Sequence, residues 1–315
     1  MKKTKNILKA LDYTILGELP DKITSIHNNS KEVKPGSLFF AIKGTKVDGH
    51  KYIPEAIKNG AEAIILEDKQ DQLEVPQIIV EDSRSALSKV AKSFYDDPSS
   101  QLKVVGITGT NGKTSVVYIL HKIFISSGIK AGKIGTLGYT IGQNDFECSL
   151  TTPGIIELQK IFKKMVNNNV KVVAMEVSSH ALALGRVNDI TFSGACFTNL
   201  SQDHLDFHKT MQAYANAKAK LFSMLNKDGF AICNIDSDYS EMFIKNCSAQ
   251  LLTYSLAGDA DYTWSEGTTF HNSIEGIVTT PKSKIKINAP LAGKFNLQNV
   301  LAAVAISDKL AITTN

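Results

Sequence analysis

The chain has 315 residues, of which 43% are hydrophobic and 21% charged, and its formal net charge is +4. This length allows two domains with cores of their own, and charges that are spread without a Lys or Arg block argue against nucleic acid as the main partner. No apolar run approaches the roughly 20 residues of a membrane span, and the 4 cysteines, which form no CxxC pair, favour a reducing cytoplasm.

Residues 1–98 have the pattern of a small α/β domain. The predicted elements are, in order, a strand at 37–42, a helix at 53–59, strands at 63–66 and 77–80, and a helix at 83–95. Ser83 is the predicted N-cap of the last helix. The stretch Asp-Asp-Pro-Ser-Ser at 96–100 predicts a linker.

Residues 99–315 are predicted to form a second domain, in which apolar runs alternate with helical patterns. Strands are predicted at 104–107, 170–175, 195–197 and 230–235, and helices at 116–125, 210–225 and 300–306. Such alternation indicates a mostly parallel sheet covered on both faces, with ligands at the carboxyl ends of its strands. The predicted fold class is therefore α/β in both domains.

The most specific motif is Thr108-Gly-Thr-Asn-Gly-Lys-Thr114, which lies between a predicted strand and a predicted helix. In such a loop the backbone N–H groups cradle phosphate, the Lys reaches the terminal phosphates and the Thr hydroxyl binds Mg²⁺. The general pattern has Gly where this chain has Ile107, and a turn that binds nothing is the alternative. We predict an ATP site formed by Gly109, Thr110, Asn111, Gly112, Lys113, Thr114 and Ser115.

Two further candidates follow predicted strands. Glu176 could hold a metal beside a phosphate, and the alternative is a solvated carboxylate at a strand end. His204 and His208 are four residues apart, as in a zinc pair, but no third ligand has a familiar spacing, so zinc is not favoured. His204 would serve Mg²⁺ only beside strong anionic ligands.

Lys218 is the third candidate, because it falls within the apolar face of the predicted helix 210–225. Lys220, two residues on, falls on the opposite face. A buried amine can lose its proton and react with carbon dioxide, and the resulting carbamate could bind Mg²⁺ as a carboxylate does. From physical reasoning alone, however, we favour a side chain that buries its stem and extends its amine to water.

Six motifs occur in an order and spacing that resemble the Mur ligase family. They are the glycine-rich loop, Thr151-Thr152-Pro153, Met175-Glu-Val-Ser-Ser-His180, Gly185-Arg186-Val187, Asn199-Leu-Ser-Gln-Asp-His-Leu-Asp206 and Tyr214-Ala-Asn-Ala-Lys218. Asn29-Ser30-Lys31 and Asp48-Gly49-His50 also resemble the nucleotide-sugar domain of that family. The resemblance implies an ATP-dependent amide ligase of peptidoglycan synthesis. Its substrates would be UDP-MurNAc-L-Ala-D-Glu, activated as an acyl phosphate, and a diamino acid, either meso-diaminopimelate or L-lysine.

The resemblance also assigns roles to residues. Lys113 would bind the β- and γ-phosphates and Thr114 one Mg²⁺, while Glu176, His204 and Lys218 as N6-carboxylysine would hold the second. The remaining assignments are Asn296 and Asn299 near adenine, Ser30 at the uridine end, and Thr151, Thr152, Ser178 and Arg186 at the muramoyl-peptide end. Alternatively, Arg186 is a surface residue after a turn and the Thr pair is an N-cap before Pro153.

The C-terminus departs from the family pattern, because the chain ends soon after Asn299 and residues 312–315 show no start of a third domain. We therefore expect a fragment of a ligase, monomeric, cytoplasmic and of low activity by itself. The alternatives are a non-catalytic homologue that binds the UDP-muramoyl precursor and ATP, and another amide ligase of the superfamily.

Overall fold

The computed structural model describes residues 1–44 and 47–312; the predicted tail at 313–315 lies outside the described residues. The chain divides into two compact units. The first holds Met1–Pro98, Gly154–Lys163 and Gly185–Asp189, and the second holds Ser99–Pro153, Lys164–Leu184 and Ile190–Asn315. Within the described ranges, no helix combines the length and the apolar character that crossing a membrane requires.

The first unit is an α/β sandwich around a five-stranded sheet of order β2-β7-β6-β5-β4. Its elements are β1 (Lys2–Lys3), α1 (Thr4–Leu8), β2 (Thr14–Leu16), β3 (Lys22–Ile23), β4 (Ser25–His27), β5 (Ser37–Phe40), α2 (Ile53–Lys58), β6 (Ala61–Leu66), β7 (Gln77–Ile79) and α3 (Ser83–Phe94). Strands β4 to β7 run parallel, and β2 pairs antiparallel with β7 at one edge. The sheet and α2 share a core that includes Phe39, Ile53 and Ile64.

One prediction for this unit was wrong. The N-cap of α3 is Asp82, whose carboxylate accepts hydrogen bonds from the backbone N–H groups of Arg84 and Ser85 at 2.8 and 3.0 Å. Ser83 is the first helical residue, and its hydroxyl donates to Glu67 at 2.8 Å. Both residue types cap helices, so the sequence alone did not distinguish them.

The second unit is built on an eleven-stranded sheet of order β11-β10-β9-β12-β8-β13-β14-β15-β16-β17-β18. Its strands are β8 (Lys103–Thr108), β9 (Ala131–Gly135), β10 (Gly138–Ile141), β11 (Asn144–Phe146), β12 (Val172–Glu176), β13 (Gly194–Phe197), β14 (Phe230–Asn234), β15 (Gln250–Ser255), β16 (Tyr262–Thr269), β17 (Ile274–Thr279) and β18 (Lys284–Ala289). Its helices are α4 (Lys113–Ser126), α6 (Ser179–Ala183), α7 (Leu205–His208), α8 (Met211–Ser223), α9 (Ser240–Lys245) and α10 (Phe295–Lys309). Helix α5 (Ile155–Asn167) has residues in both units.

The seven central strands, from β9 to β16, are parallel, which confirms the predicted α/β class. Antiparallel strands extend both edges: β10 and β11 at one, β17 and β18 at the other. The sequence pattern predicted neither these edge strands nor the parallel strands β9, β15 and β16.

Three adjacent strands position the candidate site. Strand β8 lies between β12 and β13, with Glu176 level with Ile107 and Phe197 level with Thr108. Because the three strands are parallel, the segments that follow them meet at one edge of the sheet. These segments contain most of the predicted nucleotide and metal residues.

Candidate functional site

The glycine-rich loop has a backbone that only glycine accommodates at two positions. Gly109 and Gly112 have φ angles of +149° and +85°. A Cβ atom on Gly109 would lie 1.9 Å from Thr198 Oγ1, and one on Gly112 would lie 2.4 Å from Asn299 Oδ1. Gly112 directly precedes α4, so the loop ends at the N-terminus of a long helix, where backbone N–H groups favour an anion.

The segment after β13 holds this loop in place. Thr198 Oγ1 donates to the Asn111 carbonyl at 2.6 Å, and the Asn199 side chain accepts from Asn111 N–H at 2.9 Å. The Thr110 N–H donates to the Asn199 carbonyl at 2.8 Å. The loop is therefore fixed before any ligand binds, which lowers the entropic cost of binding.

Two lysine side chains end at the inner side of the loop. Lys113 Nζ donates to the carbonyls of Gly109 and Thr110 at 2.9 and 2.7 Å, and Lys218 Nζ donates to that of Gly109 at 2.7 Å. Burial lowers the pKa of Lys113, and the nearby carboxylates of Glu176 and Asp203 oppose this effect. Burial, and then the charge of Lys113, lower the pKa of Lys218 well below its usual value.

Lys218 thus corrects one interpretation. It is 1% exposed, so its amine does not extend to water as we had favoured. Lys220, on the opposite face of α8, is exposed as predicted. A buried amine beside another cation favours the neutral form, which is the form that reacts with carbon dioxide.

Glu176 is also buried, at 1% exposure, rather than solvated at the strand end. Its Oε2 accepts from Thr114 Oγ1 at 2.9 Å, and its Oε1 accepts from the Thr136 N–H at 2.8 Å. The Thr136 hydroxyl donates to Oε2 at 3.3 Å. A buried carboxylate next to a Thr hydroxyl supplies the oxygen donors that Mg²⁺ prefers.

His204 lies in a cluster of aromatic rings. Its ring centroid is 4.8 Å from that of His180 and 6.0 Å from that of Tyr214. Lys218 Nζ lies 4.6 Å from the centroid of Tyr214, whose hydroxyl is 3.2 Å from Thr110 Oγ1. Tyr214 therefore contacts both the candidate metal residues and the loop.

The donor set fits Mg²⁺ better than zinc. Within residues 1–44 and 47–312, no three His, Cys, Asp or Glu side chains are grouped closely enough to hold a metal ion. A cation here would depend on Glu176 together with the Thr114 hydroxyl, and on an anion formed at Lys218. Hydroxyl and carboxylate oxygens suit a hard cation that keeps several waters.

Three predicted substrate residues, Thr151, Thr152 and Ser178, lie close to Glu176 and Thr136. Thr152 Oγ1 donates to the Glu176 carbonyl at 2.9 Å and accepts from the Ser178 N–H at 3.1 Å. Thr151 Oγ1 lies 3.2 Å from Thr136 Oγ1. The N-cap alternative for the Thr pair is wrong, because α5 begins only at Ile155.

The other predicted nucleotide residues are two asparagines in α10 and a serine in α4. Asn299 is buried beside Gly112 and donates to Asn296 Oδ1 at 2.9 Å. Ser115 is half-buried in the first turn of α4. Asn299 therefore lies beside the loop, and Asn296 is connected to it through Asn299.

Ser30 and Arg186 belong to the first unit. Ser30 is buried, and its hydroxyl donates to Glu55 at 2.6 Å, so a ligand could use only its acceptor capacity or its backbone. Arg186 is half-buried; burial and then the charge of Arg84 lower its pKa. Two guanidinium groups in one place favour an anionic ligand.

Comparison with known proteins agrees with this geometry. Residues 107–307 match the Mur ligase middle domain, and residues 22–95 match the Mur ligase family catalytic domain. The chain belongs to the Mur ligase family. Of the motifs that suggested the family from the sequence, the glycine-rich loop, the segment after β12 and the segment after β13 meet at the edge of the large sheet, whereas Gly185-Arg186-Val187 and the two N-terminal motifs belong to the first unit.

Two relatives of this Mur ligase chain are named UDP-N-acetylmuramoyl-L-alanyl-D-glutamate–2,6-diaminopimelate ligase. The one from Caldanaerobacter subterraneus subsp. tengcongensis is 43% identical over 98% of this chain and 64% of its own length. The one from Bacillus velezensis is 44% identical over 97% of this chain and 64% of its own. A solved structure of a ligase of that name aligns with a TM-score of 0.81 at 26% identity, covering 92% of this chain and 60% of that one. The chain thus spans about 64% of the length of these curated relatives.

Sequence reasoning about this Mur ligase missed several residues of the site. Thr136 and the side-chain roles of Thr198, Asn199 and Tyr214 were not predicted. A signal for Thr136 existed in Gly135-Thr136-Leu137-Gly138, where a two-residue turn flanked by glycines follows β9, the strand that pairs with β12. A Cβ on Gly135 would lie 2.2 Å from Glu176 Oε1, which explains the glycine there.

Proposed function

We propose that this chain provides the nucleotide and muramoyl-dipeptide sites of an ATP-dependent amide ligase that adds a diamino acid to UDP-MurNAc-L-Ala-D-Glu. The observation that supports this most is the convergence of Thr114, buried Glu176 and buried Lys218 on the glycine-rich loop. Relatives that bear the name of this ligase at 43% and 44% identity support the same substrates.

We assign the residues around the glycine-rich loop to phosphate binding or to metal binding. Lys113, once its ammonium leaves the loop carbonyls, would bind the terminal phosphates, with backbone N–H groups of 109–112 and Ser115 around them. Thr114 would bind one Mg²⁺, and Glu176, His204 and carbamylated Lys218 would hold the second. The cations would supply positive charge that offsets the repulsion between a carboxylate and a triphosphate.

The remaining residues are assigned to the substrates and the adenine. We assign Thr151, Thr152 and Ser178 to the muramoyl-peptide end, Arg186 to one of its anionic groups and Ser30 to the uridine end. Asn296 and Asn299 would bind near adenine. The diamino acid, 2,6-diaminopimelate in the names of the relatives, is the proposed acceptor. We place the reaction in the cytoplasm, where the four free thiols stay reduced, and propose a monomer.

Calorimetric titration of the 315-residue chain tests this proposal. We expect UDP-MurNAc-L-Ala-D-Glu to bind at least about tenfold more tightly than a folate, because each buried polar contact to a charged group contributes about 1.5–3 kcal/mol. Arg186→Leu should weaken binding of the dipeptide and leave binding of Mg-ADP unchanged.

Lys113→Met is the reciprocal control, since it should weaken Mg-ADP and spare the dipeptide. Equal affinity for a folate would favour another amide ligase of the superfamily.

A further inference from the structure

The carboxylate of Glu176 is the end of a chain of hydroxyl groups that reaches the predicted dipeptide site. The chain runs from Thr151 Oγ1 to Thr136 Oγ1, over 3.2 Å, and from there to Glu176 Oε2, over 3.3 Å. All three residues lie in the second unit. The Thr136 N–H also donates to the other carboxylate oxygen, so Thr136 contacts both oxygens of Glu176.

The direction of the hydrogen bonds in this chain follows from chemistry. An ionised carboxylate can only accept, so the single proton of the Thr136 hydroxyl is directed at Glu176. The Thr136 oxygen must then accept a hydrogen bond, and the Thr151 hydroxyl donates it. Each donation polarises the next hydroxyl, so donation by Thr151 strengthens the hydrogen bond that Thr136 makes to Glu176.

Ligand binding at Thr151 would change this pattern. A substrate oxygen that accepts the Thr151 proton removes the donor from Thr136, and Thr136 then donates more weakly to Glu176. The carboxylate keeps more negative charge for a cation. Occupation of the dipeptide site should therefore tighten cation binding at Glu176.

We propose that Thr136 is a positioning residue that couples binding of the muramoyl dipeptide at Thr151 to binding of a divalent cation at Glu176. This inference rests on the proposed function and adds to it a coupling between the affinities for the dipeptide and for the cation. Because linkage is reciprocal, the cation also tightens the dipeptide by the same factor. The site would then bind its cation most tightly when the substrate carboxylate is present to be activated.

Mn²⁺ titration, followed by electron paramagnetic resonance, measures this coupling. The affinity of the 315-residue chain for Mn²⁺ is determined with and without saturating UDP-MurNAc-L-Ala-D-Glu. We expect the dipeptide to tighten Mn²⁺ binding about tenfold in the unmodified chain, within the usual range of coupling between sites. Thr136→Val, which replaces the hydroxyl with a methyl group, should reduce the factor to about threefold or less, the remainder being attraction between the cation and the anionic substrate. Thr136→Ser should restore it.

Two further variants separate loss of the hydroxyl chain from a general effect of replacing Thr with Val. Thr151→Val removes the other end of the hydroxyl chain and should lower the coupling factor in the same way at saturating dipeptide. Thr263→Val makes the matched exchange in strand β16, away from the site, and should leave the factor unchanged. The readout is a ratio of two affinities, which a general loss of stability does not alter.

The outcomes separate the two proposals. If the unmodified chain binds neither Mn²⁺ nor the dipeptide, the proposed function fails and the coupling with it. If it binds both without mutual effect, the function stands and the coupling is wrong. A Thr136→Val chain that keeps the full factor overturns the role of Thr136 alone.

Discussion

His208 is a buried imidazole whose protonation opposes folding. Its ring packs 5.1 Å from Tyr214 and 5.6 Å from His180, measured between centroids, and its buried Nε2 has no hydrogen-bond partner in the part of the chain that the structure describes. Burial is the main cause that lowers its pKa from 6.5 to about 4. The charged and titratable groups that face it are His180, Lys218, His204 and Asp206.

The sign of the pH effect follows from these values. Between pH 6.5 and about 4 the unfolded chain binds a proton at His208 that the folded chain does not. The free energy of unfolding therefore falls as the pH drops through this range. His208→Phe keeps a ring and removes the titration. We expect the free energy of unfolding of this variant to fall by about 2 kcal/mol less than that of the unmodified chain between these pH values.

Urea denaturation at stepped pH measures this difference. His271→Gln, a change at an exposed histidine, is the control and should follow the curve of the unmodified chain. Parallel curves for His208→Phe and the unmodified chain would show that His208 titrates as in the unfolded state.

Lys218 shows how far residue-level prediction could go. Helical spacing placed it correctly on the apolar face of α8 and placed Lys220 on the exposed face. The spacing could not reveal that the opposing surface offers a backbone carbonyl, that of Gly109, to the amine. That acceptor is 109 residues away in the chain, so only the fold brings it within reach.

Helix α8 carries Tyr214 and Lys218, and its first turn is capped by Thr210. Thr210 Oγ1 accepts from the Ala213 N–H at 3.1 Å, and no other side chain caps this terminus in the described structure. We expect Thr210→Ala to lower the free energy of unfolding by about 1 kcal/mol, because a helix N–H loses its acceptor. Thr210→Ser should retain most of the stability, and chemical denaturation of the three chains compares them. An equal loss in both variants would mean that the methyl group, not the hydroxyl, stabilises this turn.

Element prediction succeeded for the four central strands β8, β12, β13 and β14, and missed the parallel strands β9, β15 and β16. The central strands are buried on both faces and read as continuous apolar runs, as β12 and β14 show. The edge strands lack that constraint: β11 is fully exposed, and β18 alternates between exposed and half-buried residues. Composition alone cannot separate such short, partly polar strands from loops.

At the scale of the whole molecule, each unit has a core of its own. The core of the first includes Phe39 and Ile64, and the core of the second joins α4 and α10 to the large sheet. The predicted uridine contact, Ser30, lies in the first unit and the glycine-rich loop in the second. UDP should therefore stabilise the first unit, and Mg-ADP should stabilise the second.

The only tryptophan of the chain, Trp264, makes this testable. It is half-buried in β16, and its indole N–H donates to the Leu297 carbonyl at 3.2 Å, so its fluorescence reports on the second unit. Mg-ADP at about 100 times its dissociation constant should stabilise that unit by about 2.7 kcal/mol and raise its unfolding midpoint by about 5–10 °C. UDP should leave the fluorescence midpoint in place and raise the midpoint of a transition seen by far-ultraviolet circular dichroism, which reports on both units. If UDP shifts the fluorescence midpoint as much as the circular dichroism midpoint, the two units unfold as one cooperative structure.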